Sequence, residues 1–207
     1  MLEVFVEKDE TWTSDEYGRS HEGRVGVLLD DGTVPKPVYF DSASGSSGWE
    51  VSHWSVYDGA GTYLTRPKAD VLRAECSCGW TGTGHAVDWT TVGEAPFHES
   101  GLPTAERCED DWDTHIRDVA DTTVPLPAEL EALFQTVTAA IENLAQDSPT
   151  AAIKAARALE LIAQRTAHWP ALDVRDQDPQ RVAADLGLSV DAARALLARF
   201  GGWHPHG

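Results

Sequence analysis

The sequence predicts an α+β chain of two modules. The first is an N-terminal antiparallel β-rich module with one helix and a zinc site. The second is a C-terminal all-α module ending in a helix-turn-helix-like unit. Three observations carry this. Short β-branched runs give way near residue 103 to apolar residues at three- and four-residue steps. Composition shifts near residue 120: residues 1–120 hold all three cysteines and six of the eight tryptophans, with 9 Lys and Arg against 23 Asp and Glu. Residues 121–207 are rich in Ala, Leu and Arg, with 7 against 11. Between the two lies Thr123-Val124-Pro125-Leu126-Pro127, whose prolines favour extended backbone. The modules are therefore set at 1–122 and 127–207, a division that 207 residues can support with two small cores.

Charge and cysteine content narrow the function classes. A net charge of −18 argues against non-specific coating of nucleic acid or anionic membrane. No run approaches eighteen apolar residues, so no membrane partner is expected. Met1 to Glu10 lacks a basic segment followed by an apolar run, and three cysteines are too few for a disulfide scaffold. A cytoplasmic location is the expectation.

In the first module, Leu2–Glu7, Arg24–Leu29 and Pro37–Phe40 read as strands, the second ending at the turn residues Asp30-Asp31-Gly32. Ser42 to Gly48 reads as a loop. Trp49–Tyr57 and Thr62–Thr65 read as a hairpin across Asp58-Gly59-Ala60-Gly61. Val71–Cys76 is a further strand, and Gly82 to Gly101 a long loop. From Pro103, the residues Ala105, Cys108, Trp112, His115, Ile116 and Val119 define one face of a helix. Trp49, Trp54, Trp80 and Trp89 are expected in the core rather than around a pocket.

The motif with chemical content is Cys76-Ser77-Cys78-Gly79-Trp80, followed by Cys108 and by Asp111-Trp112-Asp113-Thr114-His115. Zinc takes four converging thiolate, imidazole or carboxylate ligands. Residues two apart on a strand face one side, so Cys76 and Cys78 can share an ion, and Gly79 lets the chain turn away. His115, on the helix, is the third candidate. For the fourth, Cys108 is chemically apt, yet seven helical residues separate it from His115, a rise of about 10.5 Å. Asp111, one turn before His115, is the other candidate; His53, His85 and His98 are also available. The competing reading is that the three cysteines are small core residues. A Cys78–His85 or Cys78–His98 nucleophile pair is a remote enzymatic option.

In the second module, Leu130, Leu133, Phe134, Val137, Ile141 and Leu144 form the apolar stripe of a helix over about 127–146. Ser148-Pro149 starts a second helix, ending before Trp169-Pro170, and the two pack as an antiparallel hairpin. Asp178-Pro179 starts the helix-turn-helix-like segment 179–201: Ala183 at the crossing, Gly187 in the turn, Ser189 capping the second helix, and Gly201-Gly202 ending it. Arg194, Arg199 and Ser189 are the candidate DNA contacts. The segment from Asp178 to Gly201 holds three arginines and three aspartates. Docking on a protein is the balancing expectation.

The order of Cys76-Ser77-Cys78-Gly79-Trp80, Asp111-Trp112 and His115, the proline-rich joint and the helix-turn-helix tail resembles a group of small actinobacterial proteins. In these a CxCGW…DWxxH module precedes a helical tail. The resemblance covers roughly residues 70–203 and implies the two-module layout and a cytoplasmic home, with no activity attached. Ala192, Ala193 and Ala195 stand where the group often carries Gln and Arg.

The function expected is that of a non-enzymatic regulatory binding protein of transcription-factor type, with structural zinc. Its partner is duplex DNA or a protein, and it acts as a homodimer, since a single half-site is bound weakly. A protein-interaction adaptor and a zinc hydrolase are the alternatives.

Overall fold

A computed structural model describes residues 10–40, 48–61 and 65–202. The expected strand Leu2–Glu7, the loop Ser42–Gly48 apart from Gly48, and most of the second hairpin arm lie outside these residues. The chain divides into two compact units, 1–120 and 121–207.

The first unit is built on a four-stranded antiparallel sheet in the order β1-β2-β5-β6, from β1 (Trp12–Ser14), β2 (Gly18–Leu28), β5 (Val71–Cys76) and β6 (His85–Ala86). A second sheet pairs β3 (Val38–Phe40) with β4 (Trp49–Val51). Alternation in β5 buries Leu72, Ala74 and Cys76 on one face, as period-two side-chain geometry requires. The register sets Gly23 of β2 opposite Cys76 of β5.

Helices α1 (Trp89–Val92), α2 (Phe97–Ser100) and α3 (Leu102–Thr122) cover the sheet. Asp88 caps α1, accepting from the Thr90 and Thr91 amides and hydroxyls, which hold its carboxyl down to about 2. The face of α3 turned inward carries Ala105, Cys108, Trp112 and His115, the expected periodicity. Trp54, Tyr57, Leu72, Ala74, Phe97 and Cys108 join it in one core.

Three expectations for this unit are corrected. Gly82 to Gly101 is not one long loop: it holds β6, α1 and α2. Trp49–Tyr57 is not a hairpin arm; Trp49–Val51 pairs with β3 and Trp54–Val56 forms a 3-10 turn. The Asp58-to-Arg66 loop is instead closed by an Asp58–Arg66 ion pair and a bridge from Asp58 to Lys68. Among the described residues, the module also carries three α-helices where one was expected.

The second unit is helical: α4 (Ala128–Asp147), α5 (Pro149–Val174), α6 (Pro179–Asp185) and α7 (Val190–Gly201). Helix α5 does not stop before Trp169-Pro170 but runs through Pro170 to Val174. Proline has no N–H for the carbonyl one turn back, a cost of about 3 kcal/mol in a helix interior. Packing carries the helix across it: His168 and Ala171 are buried, and His168 Nδ1 lies 3.2 Å from the Phe200 carbonyl at the end of α7.

Gly23 shows how tightly β2 meets α3. A Cβ there would sit 2.5 Å from the Trp112 indole and 2.7 Å from the Trp12 ring. Gly23→Ala is expected to destabilise the first unit by about 1–3 kcal/mol through overpacking. Urea unfolding followed by tryptophan fluorescence measures this, and a change below about 0.5 kcal/mol contradicts the packing described.

Candidate metal centre

Two sulfurs and two imidazole nitrogens converge at the end of the first sheet. His21, Cys76, Cys78 and His115 each offer one ligand atom, and all four atoms lie within 4.8 Å of one another. His21 Nδ1 is 3.3 Å from His115 Nε2. Cys76 Sγ is 3.7 Å from His21 Nδ1, and Cys78 Sγ is 3.4 Å from His115 Nε2.

Each ligand is placed by local structure. Cys76 closes β5, and a tight turn follows in which the Gly79 amide donates to the Cys76 carbonyl and Cys76 N–H to the Trp80 carbonyl. Gly79 adopts φ +95°, the left-handed region that glycine occupies at no steric cost. The turn aims the Cys78 sulfur back toward Cys76, and the Trp80 amide donates to that sulfur at 3.4 Å. Ser77 ties the turn to β2: its amide donates to the Glu22 carbonyl, its hydroxyl donates to the Arg19 carbonyl, and the Glu22 amide donates to that hydroxyl, each at 2.9 Å. These bonds bracket His21 on both sides. His115 is fixed on α3 by a parallel stack under Trp80, 4.3 Å between centroids at 5°.

The edges of this cluster fit a four-coordinate ion. Zn–S of about 2.3 Å and Zn–N of about 2.0 Å at tetrahedral angles give N···N of about 3.3 Å and S···N of about 3.5 Å. The observed edges bracket those values. The surroundings favour the neutral form of both Cys76 and His115. Burial pushes the Cys76 thiol up to about 11, the Cys78 backbone opposing the shift and the Cys78 thiol adding to it. Burial and the neighbouring His21 lower His115, keeping the imidazole in its neutral, ligating form. The Trp112 indole N–H is buried with no acceptor in hydrogen-bond geometry, and it acts on Cys76 in the direction of the thiolate. A metal-bound sulfur is the kind of acceptor such a donor lacks.

The structure brings Cys76, Cys78 and His115 together and gives the fourth place to His21. The two candidates for that place are engaged elsewhere. Cys108 is fully buried, its thiol donates to the Thr104 carbonyl at 3.3 Å, and burial raises it to about 12. Asp111 Oδ2 meets His85 Nε2 at 2.9 Å. His53 lies against Ser55 Oγ at 2.7 Å, and His98 is exposed beside Glu99. The sequence reading missed His21 because it began the strand at Arg24. The available signal was the antiparallel register: once Gly23 faces Cys76, His21 lies two positions on, beside the Cys-x-Cys turn.

Each candidate DNA contact has a neighbour within the chain. Ser189 accepts from the Ala192 amide as the cap of α7, as expected. Arg194 lies 3.6 Å from Asp191, and the Arg199 guanidinium sits over the Phe200 ring. Gly187 has φ +63° in the turn between α6 and α7. No helix among the described residues is long and apolar enough to cross a membrane.

Comparison of the chain with protein-family models, curated proteins and solved structures finds no match.

The geometry predicts one bound ion per chain. Elemental analysis of purified protein is expected to show that ion lost in His21→Ala and in Cys76→Ser but retained in Cys108→Ser and Asp111→Asn. Loss in Asp111→Asn with retention in His21→Ala would reverse the assignment. Because the buried Cys76 thiol holds its proton at neutral pH, ion uptake must displace it. Affinity therefore falls as pH falls, by about tenfold per unit from this thiol alone. A competition titration at two pH values checks the sign.

Proposed function

We propose that this chain is a non-enzymatic binding protein whose first unit is clamped by a structural zinc ion on His21, Cys76, Cys78 and His115, and whose helical unit makes the contact with a partner. The observation that carries the proposal is the match of the three measured ligand–ligand edges to a tetrahedron.

Several features support zinc in a structural role. Two thiolates and two imidazoles are a zinc donor set, and two thiolates neutralise its charge within a partly buried site. Four protein ligands fill the tetrahedron. A hydrolytic centre would keep one position for water or substrate. The ligands come from β2, the turn after β5 and α3, so one ion cross-links segments far apart in the chain. Five of the six tryptophans of this unit lie in or against one small core, while Trp49, expected there, is exposed on the edge strand β4. A small core is the setting in which metal cross-links supply folding energy.

For the tail, a protein partner is the better-supported reading, because two of the three arginines of segment 179–201 lie beside an aspartate. Arg181 and Arg194 lie near Asp185 and Asp191, and Asp191 opposes phosphate at the start of α7. The transcription-factor reading rests on one specific observation, the glycine turn followed by a serine cap between α6 and α7.

Chelation is the test of the clamp. Stripping the ion is expected to lower the melting temperature of the first unit, read by tryptophan fluorescence, by about 10 °C or more, the shift for roughly 2–3 kcal/mol in a domain of this size. Readdition of zinc is expected to restore it. An unchanged melting curve in protein shown to be metal-free sinks the structural role. For the tail, duplex affinity is measured at two salt concentrations. The expected result is no difference between the native chain and an Arg194→Ala, Arg199→Ala variant. A salt slope that falls in the variant would favour DNA instead.

A further inference from the structure

Helix α4 is amphipathic in sequence, yet none of its residues is buried. Leu130, Leu133, Phe134, Val137 and Leu144 recur at the spacing of one helix face, and each stays exposed, Leu133 at 60% and Phe134 at 54%. On α5 a second stripe follows the same rule: Leu159, Ile162 and Trp169 lie on one side and are exposed, Trp169 at 70%. An amphipathic helix is stable because its apolar side meets another surface. Helices α4 and α5 pack on each other and α5 on α7, yet these stripes keep much of their apolar surface exposed.

We infer that the α4–α5 hairpin is a dimer interface that takes the same hairpin of a second copy of this chain. Two features of the surface select that occupant. The exposed apolar area of the two stripes together is roughly 700 Å², close to what each partner of a stable interface contributes. The charges beside the stripes are self-complementary. Helix α4 carries Glu129, Glu131, Glu142 and Asp147 and no cation. Over Lys154 to Arg165, helix α5 carries three cations and one acid. Glu131 and Glu142 are eleven residues apart, three turns on one side of α4, and Lys154 and Arg165 are eleven apart on one side of α5.

The equal spacing matters because a two-fold axis repeats each contact. An α4 laid along the partner's α5 sets two acids against two bases, and the axis supplies the same pairing in reverse. Arg157, the remaining cation, already pairs with Glu160 of its own helix at 2.9 Å. Among the described residues, the other four have no ion-pair partner within the chain. The interface is independent of the metal centre, which belongs to the other unit.

Sedimentation equilibrium on the full chain tests this. The expected mass is twice the 22.5 kDa of one chain. Leu133→Asp with Phe134→Asp is expected to give the monomer with helicity retained by circular dichroism. Charge reversal supplies the second arm, because it leaves the apolar core untouched. Glu131→Lys with Glu142→Lys, and separately Lys154→Glu with Arg165→Glu, are each expected to weaken self-association by tenfold or more at low salt. Mixing the two variants is expected to restore a heterodimer. A native chain that is monomeric at 100-fold dilution and at the highest soluble concentration overturns the proposal. So does a dimer indifferent to both sets of variants, or a mixture that does not recover. A monomer destabilised by Leu133→Asp would show that the hairpin is covered within its own chain, which also overturns it.

Discussion

The convergence of two thiols and two imidazoles at the edge of a small core is the arrangement on which the first unit turns. Burial raises Cys76, so its thiol is in the neutral form, whose proton a bound cation would have to displace. The rest of the first unit is organised around that convergence. The β2–β5 register sets Gly23 against Cys76, the missing side chain at Gly23 admits Trp112, and Trp112 fixes the height of α3 over the sheet. The same α3 face then delivers His115 one turn later beneath Trp80. Ser77 locks the Cys-x-Cys turn to the backbone on both sides of His21, so the sheet pairing and the ligand set are one arrangement.

How much of this could be read from residues depends on how local its cause is. The turn after β5 was legible: Cys-x-Cys followed by Gly sets side-chain direction and backbone sign within four residues. The inward face of α3 was legible because its period is its own. His21 was not, since its role comes from pairing with a strand more than fifty residues away, and nothing near it in sequence marks the strand as reaching back to Gly18. The stretch from Gly82 to Gly101 looked irregular because its two helices are one turn each, too short to show a period. Cys108 shows the opposite error: the right chemistry for a ligand, on the right helix face, at a height that places it in the apolar core.

In the second unit the capping signals Ser148-Pro149, Asp178-Pro179 and Ser189 each mark a helix start where the structure has one, because a cap is settled by three or four residues. The end of α5 was misread for the complementary reason. Proline is a strong local stop, and only the burial of His168 and Ala171 against distant α7 overrides it. The stripe on α4 was legible as a stripe, but a period says only that a face seeks cover and never what covers it.

Gly23 and Gly79 are both obligatory, for unrelated reasons. At Gly23 the backbone is ordinary and the neighbours forbid a methyl group. At Gly79 the surroundings are open, with nothing within 4 Å of an added Cβ, and the sign of φ forbids one. Handedness separates them. A D-alanine introduced by chemical synthesis would match the torsion of the turn that carries Cys78, whereas at Gly23 the L-methyl group fails on its neighbours and would wedge β2 away from the indole.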